Sequence, residues 1–169
     1  MQLSNFLPML CPNELPDLNK IKYPMLASFK LDGIKAIFMN GNLLSRSLKE
    51  FPNMYLHVKF AHLKEYSNKN NVILDGELYC TSVDFNVLSG IIRSDEHDLP
   101  DDLEFYCFDM LDSSNKTFKD RVQDYTYLRQ EGLIQVAQTE VNSAKEVQDY
   151  FEHAIKCGYE GLILKDPAS

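Results

Sequence analysis

The segment MLASFKLDGIKAIFMNGNLLSRS, residues 25–47, sets the fold class. Met25-Leu26-Ala27-Ser28-Phe29 reads as a strand leading to Lys30, and Asp32-Gly33 makes a turn. Lys35-Ala36-Ile37-Phe38-Met39 is a second strand. Asn40-Gly41 is the strongest short hairpin signal in the chain, because both central residues of a type I′ turn need positive φ. Leu43-Leu44-Ser45-Arg46-Ser47 is then the returning strand, with Arg46 on it.

Residues 1–24 hold four of the seven prolines and little periodicity, so they read as an irregular lead-in to one domain over 25–169. After the hairpin, Pro52 suits the first turn of a helix whose Leu56, Phe60 and Leu63 fall at i, i+4 and i+7. Residues 72–80 are strand-like, with Asp75-Gly76 inside, and 85–92 form a short helix or turn. Residues 103–111 are an apolar, aromatic strand; 120–130 read as a helix ended by Gly132, and 133–141 as a strand. Ser143-Ala144-Lys145-Glu146 is a capping box opening the clearest helix, with Val147, Tyr150, Phe151, Ala154 and Ile155 as one apolar stripe. Gly158 supplies a left-handed stop, and 161–164 follow as a buried strand. Strands dominate and early hairpins are tight, so the class is α+β with mainly antiparallel sheets packed with helices.

Composition narrows the function classes. Of 169 residues, 44% are hydrophobic, 11% aromatic and only 25% charged, which excludes a disordered chain. No apolar run approaches the roughly 20 residues of a membrane helix. Met1-Gln2-Leu3-Ser4 lacks a basic region before an apolar stretch, so no signal peptide is expected and a soluble, cytoplasmic protein is. Cys11, Cys80, Cys107 and Cys157 are widely spaced and read as reduced core thiols. The net charge of −8 repels nucleic acid as a whole, so any such contact is a local patch or comes from a part outside the chain. Neither G-x-G-x-x-G nor G-x-x-x-x-G-K-[ST] is present.

Five short segments carry charge or aromatic rings in positions that chemistry can use. In Lys30-Leu31-Asp32-Gly33, a lysine ending an apolar strand is held in place; burial or a neighbouring cation lowers its pKa, and a neutral amine is a nucleophile. The plain alternative is a surface lysine beside a turn. Arg46 can grip a phosphate or carboxylate in a fork, or be a solvated strand charge. In Leu74-Asp75-Gly76-Glu77-Leu78, two carboxylates in an apolar strand need a cation, a metal or donors if buried. Phe105-Tyr106-Cys107-Phe108-Asp109 offers rings for a nucleobase, or is a core strand. Glu160 and Lys165 bracket an apolar strand five residues apart; on a regular strand they point to opposite faces unless a bulge or Gly161 bends it.

Taken in order, K-x-D-G, S-R-S, D-G-E, F-x-x-F-D and E-G-L-I-L-K resemble the ordered motif set of the covalent nucleotidyltransferases, which comprise DNA ligases, RNA ligases and messenger-RNA capping enzymes. Within it, residues 24–167 most resemble the adenylation domain of ATP-dependent DNA ligases of the short viral type. The resemblance implies the ligase and capping-enzyme, ATP-grasp-like fold. It also implies attack of a lysine on the α-phosphate of ATP, a lysyl-AMP, transfer of AMP to the 5′-phosphate of a nick, and sealing in DNA replication, repair and recombination. By matched position, Lys30 is the implied nucleophile. Lys35, where the family usually has Arg, contacts the nucleotide or nick phosphate, and Arg46 is a second basic contact. Glu77 holds the ribose and Mg²⁺ (or Mn²⁺), and Glu160 is the second metal-associated acid. Phe108 stacks on adenine. Lys165 contacts the α-phosphate and depresses the pKa of Lys30. Ser28 stands where many such ligases carry an acid that reads the base, which leaves base selection to backbone groups near Phe29.

The family's final lysine-rich motif and OB-fold domain are not found in the chain. The implied protein is therefore a truncated or minimal adenylation domain, a monomer. It is expected to bind ATP weakly, self-adenylate poorly, and meet nicked double-stranded DNA mainly through parts missing here. An RNA ligase and a GTP-using capping enzyme share K-x-D-G, and a non-catalytic nucleotide- or nick-binding remnant is the alternative of a different class. The short N-terminal segment disfavours an NAD⁺-dependent ligase.

Overall fold

The computed structural model describes residues 6–8 and 16–169. Cys11, the first four residues and most of the lead-in fall outside the described residues. In chain order the elements are β1 (Met25–Lys30), β2 (Ile34–Met39), β3 (Asn42–Ser45), α1 (Met54–Lys59), α2 (Ala61–Asn70), β4 (Ile73–Tyr79), α3 (Phe85–Ile92), β5 (Glu104–Leu111), α4 (Phe118–Thr126), β6 (Leu133–Gln135), β7 (Thr139–Val141), α5 (Ala144–Lys156) and β8 (Gly161–Lys165). They form a three-stranded sheet, β7-β1-β8, and a five-stranded sheet, β3-β2-β4-β5-β6. Every pairing is antiparallel except β5 with β6.

The Asn40-Gly41 turn forms as its sequence requires, with φ of 51° and 77° and Met39 opposite Asn42. The main core lies on the five-stranded sheet. Phe38 packs edge-on against Phe105, with centroids 4.8 Å apart, and Leu56, Phe60 and Leu63 are fully buried against the same cluster.

Several elements differ from their sequence reading. Pro52 precedes the helix instead of opening it: the cap is Asn53, whose side chain accepts the Leu56 N–H. The helix then breaks at Phe60 into two. α4 starts two residues before Asp120 because Thr117 caps it, accepting the Asp120 N–H. It ends well before Gly132, which has a φ of 70° and leads into β6 instead. The single strand expected over 133–141 is two short ones, since the chain leaves one sheet after Gln135 and joins the other at Thr139. Arg46 lies in the exposed turn after β3, not on the strand. Along α5, Val147 and Ala154 are buried while Phe151 and Ile155 are exposed, because the small sheet covers only part of the stripe. β8 is half-buried, with only Gly161 fully covered, because it is an edge strand. Cys80 and Cys107 are buried thiols, but Cys157 is exposed at the end of α5.

Two glycines bring the sheets' functional ends together. Asp32-Gly33 does not close a hairpin between β1 and β2; it carries the chain from the small sheet to the large one. A Cβ on Gly33 would lie 2.5 Å from the Leu78 carbonyl oxygen and 2.8 Å from Glu77 Cγ. Gly76 sits where the β4–β5 register shifts, and its Cβ would lie 2.2 Å from the Tyr106 carbonyl oxygen. The contacts with the Leu78 and Tyr106 carbonyls are backbone contacts that cannot yield. Gly76→Ala is therefore expected to lose about 1–3 kcal/mol or more in urea unfolding. Gly90→Ala, within α3 with nothing within 4 Å of its Cβ, should gain about 0.5–1 kcal/mol. Equal midpoints for the two variants would refute the close-approach explanation.

Candidate functional site: a charged pocket where two sheets meet

Lys30 is the last residue of β1 and pairs with Gly161, the first of β8. The residue before that glycine, Glu160, places Oε2 in direct contact with Lys30 Nζ. Gly161 has a φ of 154°, which supplies the local change of direction at this point. An open pocket of about 310 Å³ lies here, with Lys30, Asp32, Tyr79, Asp84, Tyr159 and Glu160 among its walls. Both sheets contribute, since Tyr79 ends β4.

Glu77, on β4, faces Lys35 across the β2–β4 register. Burial pushes its carboxyl up to about 7, against the opposing pull of Lys35 and Lys30. Asp32 and Glu160 add like charge. Lys30, Lys35, Glu77 and Glu160 therefore share one electrostatic environment, although β1, β2, β4 and the start of β8 supply them separately.

A second, deeper cluster lies behind it. Asp75 and Asp109 are opposite one another on β4 and β5 and are almost completely buried. Lys35 Nζ contacts Asp75 Oδ1. Arg121 of α4 grips Asp109 with a two-pronged fork, Nε to Oδ1 at 2.9 Å and Nη2 to Oδ2 at 3.0 Å. Lys165 Nζ stands 3.8 Å from Asp109 Oδ2 and 4.3 Å from the centre of the Phe118 ring. Burial pushes Asp75 up and Lys165 down, in each case resisted by the opposite charges they face and reinforced by the like ones.

Phe108 occupies the β-bulge on β5. Cys107 pairs with Gly76 and Asp109 with Asp75, which leaves Phe108 as the extra residue. Its half-buried ring has Lys35 Nζ 5.4 Å from its centre. Phe29 packs among Tyr159, Tyr150 and His153, with centroids 4.6, 5.1 and 5.9 Å away. Arg46 makes no ion pair or hydrogen bond among the described residues, and its neighbours Ser45 and Ser47 bond to each other at 3.0 Å.

The structure thus gathers Lys30, Glu160, Glu77 and Lys35, and sets Phe108 beside Lys35. It does not pair Lys165 with Lys30 across β1 and β8. The register puts Lys165 opposite Leu26, four residues along β1, or about 13 Å at the usual strand rise.

Residues 8–169 match the family model described as ATP dependent DNA ligase domain. The chain belongs to that family. Its fold is shared by solved DNA ligases. A Chlorella virus DNA ligase-adenylate superposes with a TM-score of 0.79 at 21% identity, over 97% of this chain and 62% of that one. The ATP-dependent DNA ligase from bacteriophage T7, in complex with ATP, gives 0.61 at 24% identity, over 86% and 57%. The ligase domain from M. tuberculosis LigD gives 0.68 at 21% identity, over 100% and 56%. The chain therefore spans about three fifths of the length of these proteins. No curated relative matches the sequence.

Two site residues of this ligase domain were not singled out by sequence reasoning. The sequence gives Asp109 no role beyond its place in an aromatic strand, and Arg121 none at all. A usable signal existed: an acid ending an aromatic strand must be neutralised if buried, and Arg121 follows Phe118 by one helical turn. Among the described residues no helix is long and apolar enough to cross a membrane. No trio of acidic, His or Cys side chains among them forms a ready metal site.

The raised Glu77 carboxyl has a stability consequence. Between about pH 4.5 and 7 the folded ligase domain holds a proton that the unfolded chain has released, so this group's contribution to stability falls as pH rises through that window. Glu77→Gln is expected to melt above the parent at about pH 8, with the gap narrowing toward about pH 5. Melting curves showing the same gap at both ends would remove the burial argument.

Proposed function

We propose that Lys30 is the nucleophile of a ligase adenylation reaction, and that this chain captures AMP from ATP and passes it to the 5′-phosphate of nicked DNA. The observation that carries this is that Lys30 and Glu160 meet in the wall of one pocket and share their electrostatic environment with Glu77 and Lys35, from four separate segments. In the first step Lys30 Nζ loses its proton and forms a bond to the α-phosphorus. The bond from that phosphorus to the bridging oxygen breaks, and pyrophosphate leaves. Glu160, in contact with Lys30, is the base at hand for the proton. Positioning and charge compensation are what such a transfer needs from a protein.

Glu77 and Glu160 fit a divalent cation of the Mg²⁺ or Mn²⁺ kind. Mg²⁺ takes one or two carboxylates and completes its shell with water and phosphate oxygens, so a preformed trio of ligands is not required. Glu77, destabilised as an anion by burial, is an acid that a cation would relieve. When bound, the metal would offset charge on the phosphates. Phe108, the bulge residue, presents its ring for the base. Lys35 and the exposed Arg46 are assigned phosphate contacts, and the backbone beside Phe29 the reading of the base. The α-phosphate contact is not assigned to Lys165, given its place on β8.

Incubation of the chain with α-labelled ATP and Mg²⁺ should leave acid-labile label on the protein, slowly, and Lys30→Ala should take none. Label persisting in that variant would remove Lys30 from its role. Competition by GTP and a comparison of nicked DNA with nicked RNA test the substrate assignment; preference for GTP would favour a capping-type enzyme.

A further inference from the structure

Lys165 belongs to the small sheet and Asp109 to the large one, so their contact is a tie between sheets. Asp109 is held in turn by the Arg121 fork, and Arg121 is itself fixed by bonds from Nη1 to the carbonyl oxygens of Lys116 at 2.7 Å and Ser169 at 3.1 Å. Lys165 lies over the Phe118 ring, in the same first turn of α4. The backbone continues the tie: Lys119 N–H donates to the Pro167 carbonyl at 3.0 Å, so the segment after β8 rests on the start of α4. The residue adjoining Asp109 is Phe108, the bulge residue, with Lys35 Nζ 5.4 Å from its ring centre.

We propose that Arg121, Asp109 and Lys165 are positioning residues that fix the spacing of β8 against β5 and so hold Phe108 where the base of the nucleotide rests. This builds on the assignment of Phe108 to base stacking. The surroundings of Lys165 support it. The side chain is only 16% exposed, and its partner carboxylate 2%. The backbone of Lys165 lies opposite Leu26, four residues along β1 from Lys30. Its work is then to set geometry beside Phe108.

The discriminating experiment compares ATP with adenosine, which has the base but no phosphate. Equilibrium dialysis with each labelled ligand is run on the 169-residue chain, Lys165→Met, Arg121→Lys and Arg121→Met. Lys165→Met is expected to weaken adenosine and ATP by the same factor, about tenfold, the size of one lost charge-assisted contact. Arg121→Lys should weaken both equally by a smaller factor, since the charge remains and the fork is lost. Loss of ATP binding with adenosine unaffected would make Lys165 a phosphate ligand and overturn the proposal, as would a folded Lys165→Met that binds both ligands normally. Circular dichroism establishes folding. Should Arg121→Met not fold, the two milder variants decide the matter. A parent chain that binds both ligands without taking label would sink the transfer reaction alone; one that binds neither would sink both proposals.

Discussion

Two carboxylates, Asp75 and Asp109, sit side by side on neighbouring strands with almost no access to water. Much of the fold is arranged to neutralise them. Asp109 raises the cost of ionising Asp75, and burial adds to it. The compensating cations come from three elements: Lys35 from β2, Arg121 from α4 and Lys165 from β8. Breaking a buried pair by removing one partner typically costs about 3–5 kcal/mol, because the other charge is left uncompensated. The packing of a helix and a second sheet is thereby made conditional on the charge state of the large sheet.

The outer layer of the site follows from that inner one. The shift in register beside Gly76 lets β5 carry one extra residue, Phe108, while on the other side of β4 the unbroken register sets Glu77 opposite Lys35. Lys35 thus belongs to both layers: its ammonium meets Asp75, its charge acts on Glu77, and it lies beside the Phe108 ring. On the small sheet, the pairing of Lys30 with Gly161 brings Glu160 onto the lysine. Gly33, pressed against the Leu78 carbonyl, holds the connection between the two halves close. Nothing in this arrangement is local in sequence, since Lys30 and Glu160 are 130 residues apart.

The individual pieces were nevertheless readable. Asn40-Gly41 announces its own turn, Ser143 and Glu146 their own cap, and the buried acid of Leu74-Asp75-Gly76-Glu77-Leu78 its need for a cation. Local chemistry fixes such features, and α5 opens where that chemistry places it: Ser143 accepts the Glu146 N–H, and Glu146 reaches back to the Asn142 N–H. What was not readable depends on pairing. No periodicity within 133–141 marks where the chain changes sheets, and none tells that β6 runs parallel to β5. Arg121 looks like any helical arginine until Asp109 is placed beside it. The place of Lys165 relative to Lys30 is likewise set by antiparallel register, which puts its backbone at the other end of the strand pair.

The most direct test is a crystal structure of the chain after reaction with ATP and Mg²⁺. The expected density is continuous from Lys30 Nζ to the phosphorus of AMP, with the base against Phe108 and Asp109 still held by Arg121. AMP bound elsewhere, or a covalent bond on another side chain, would contradict the account.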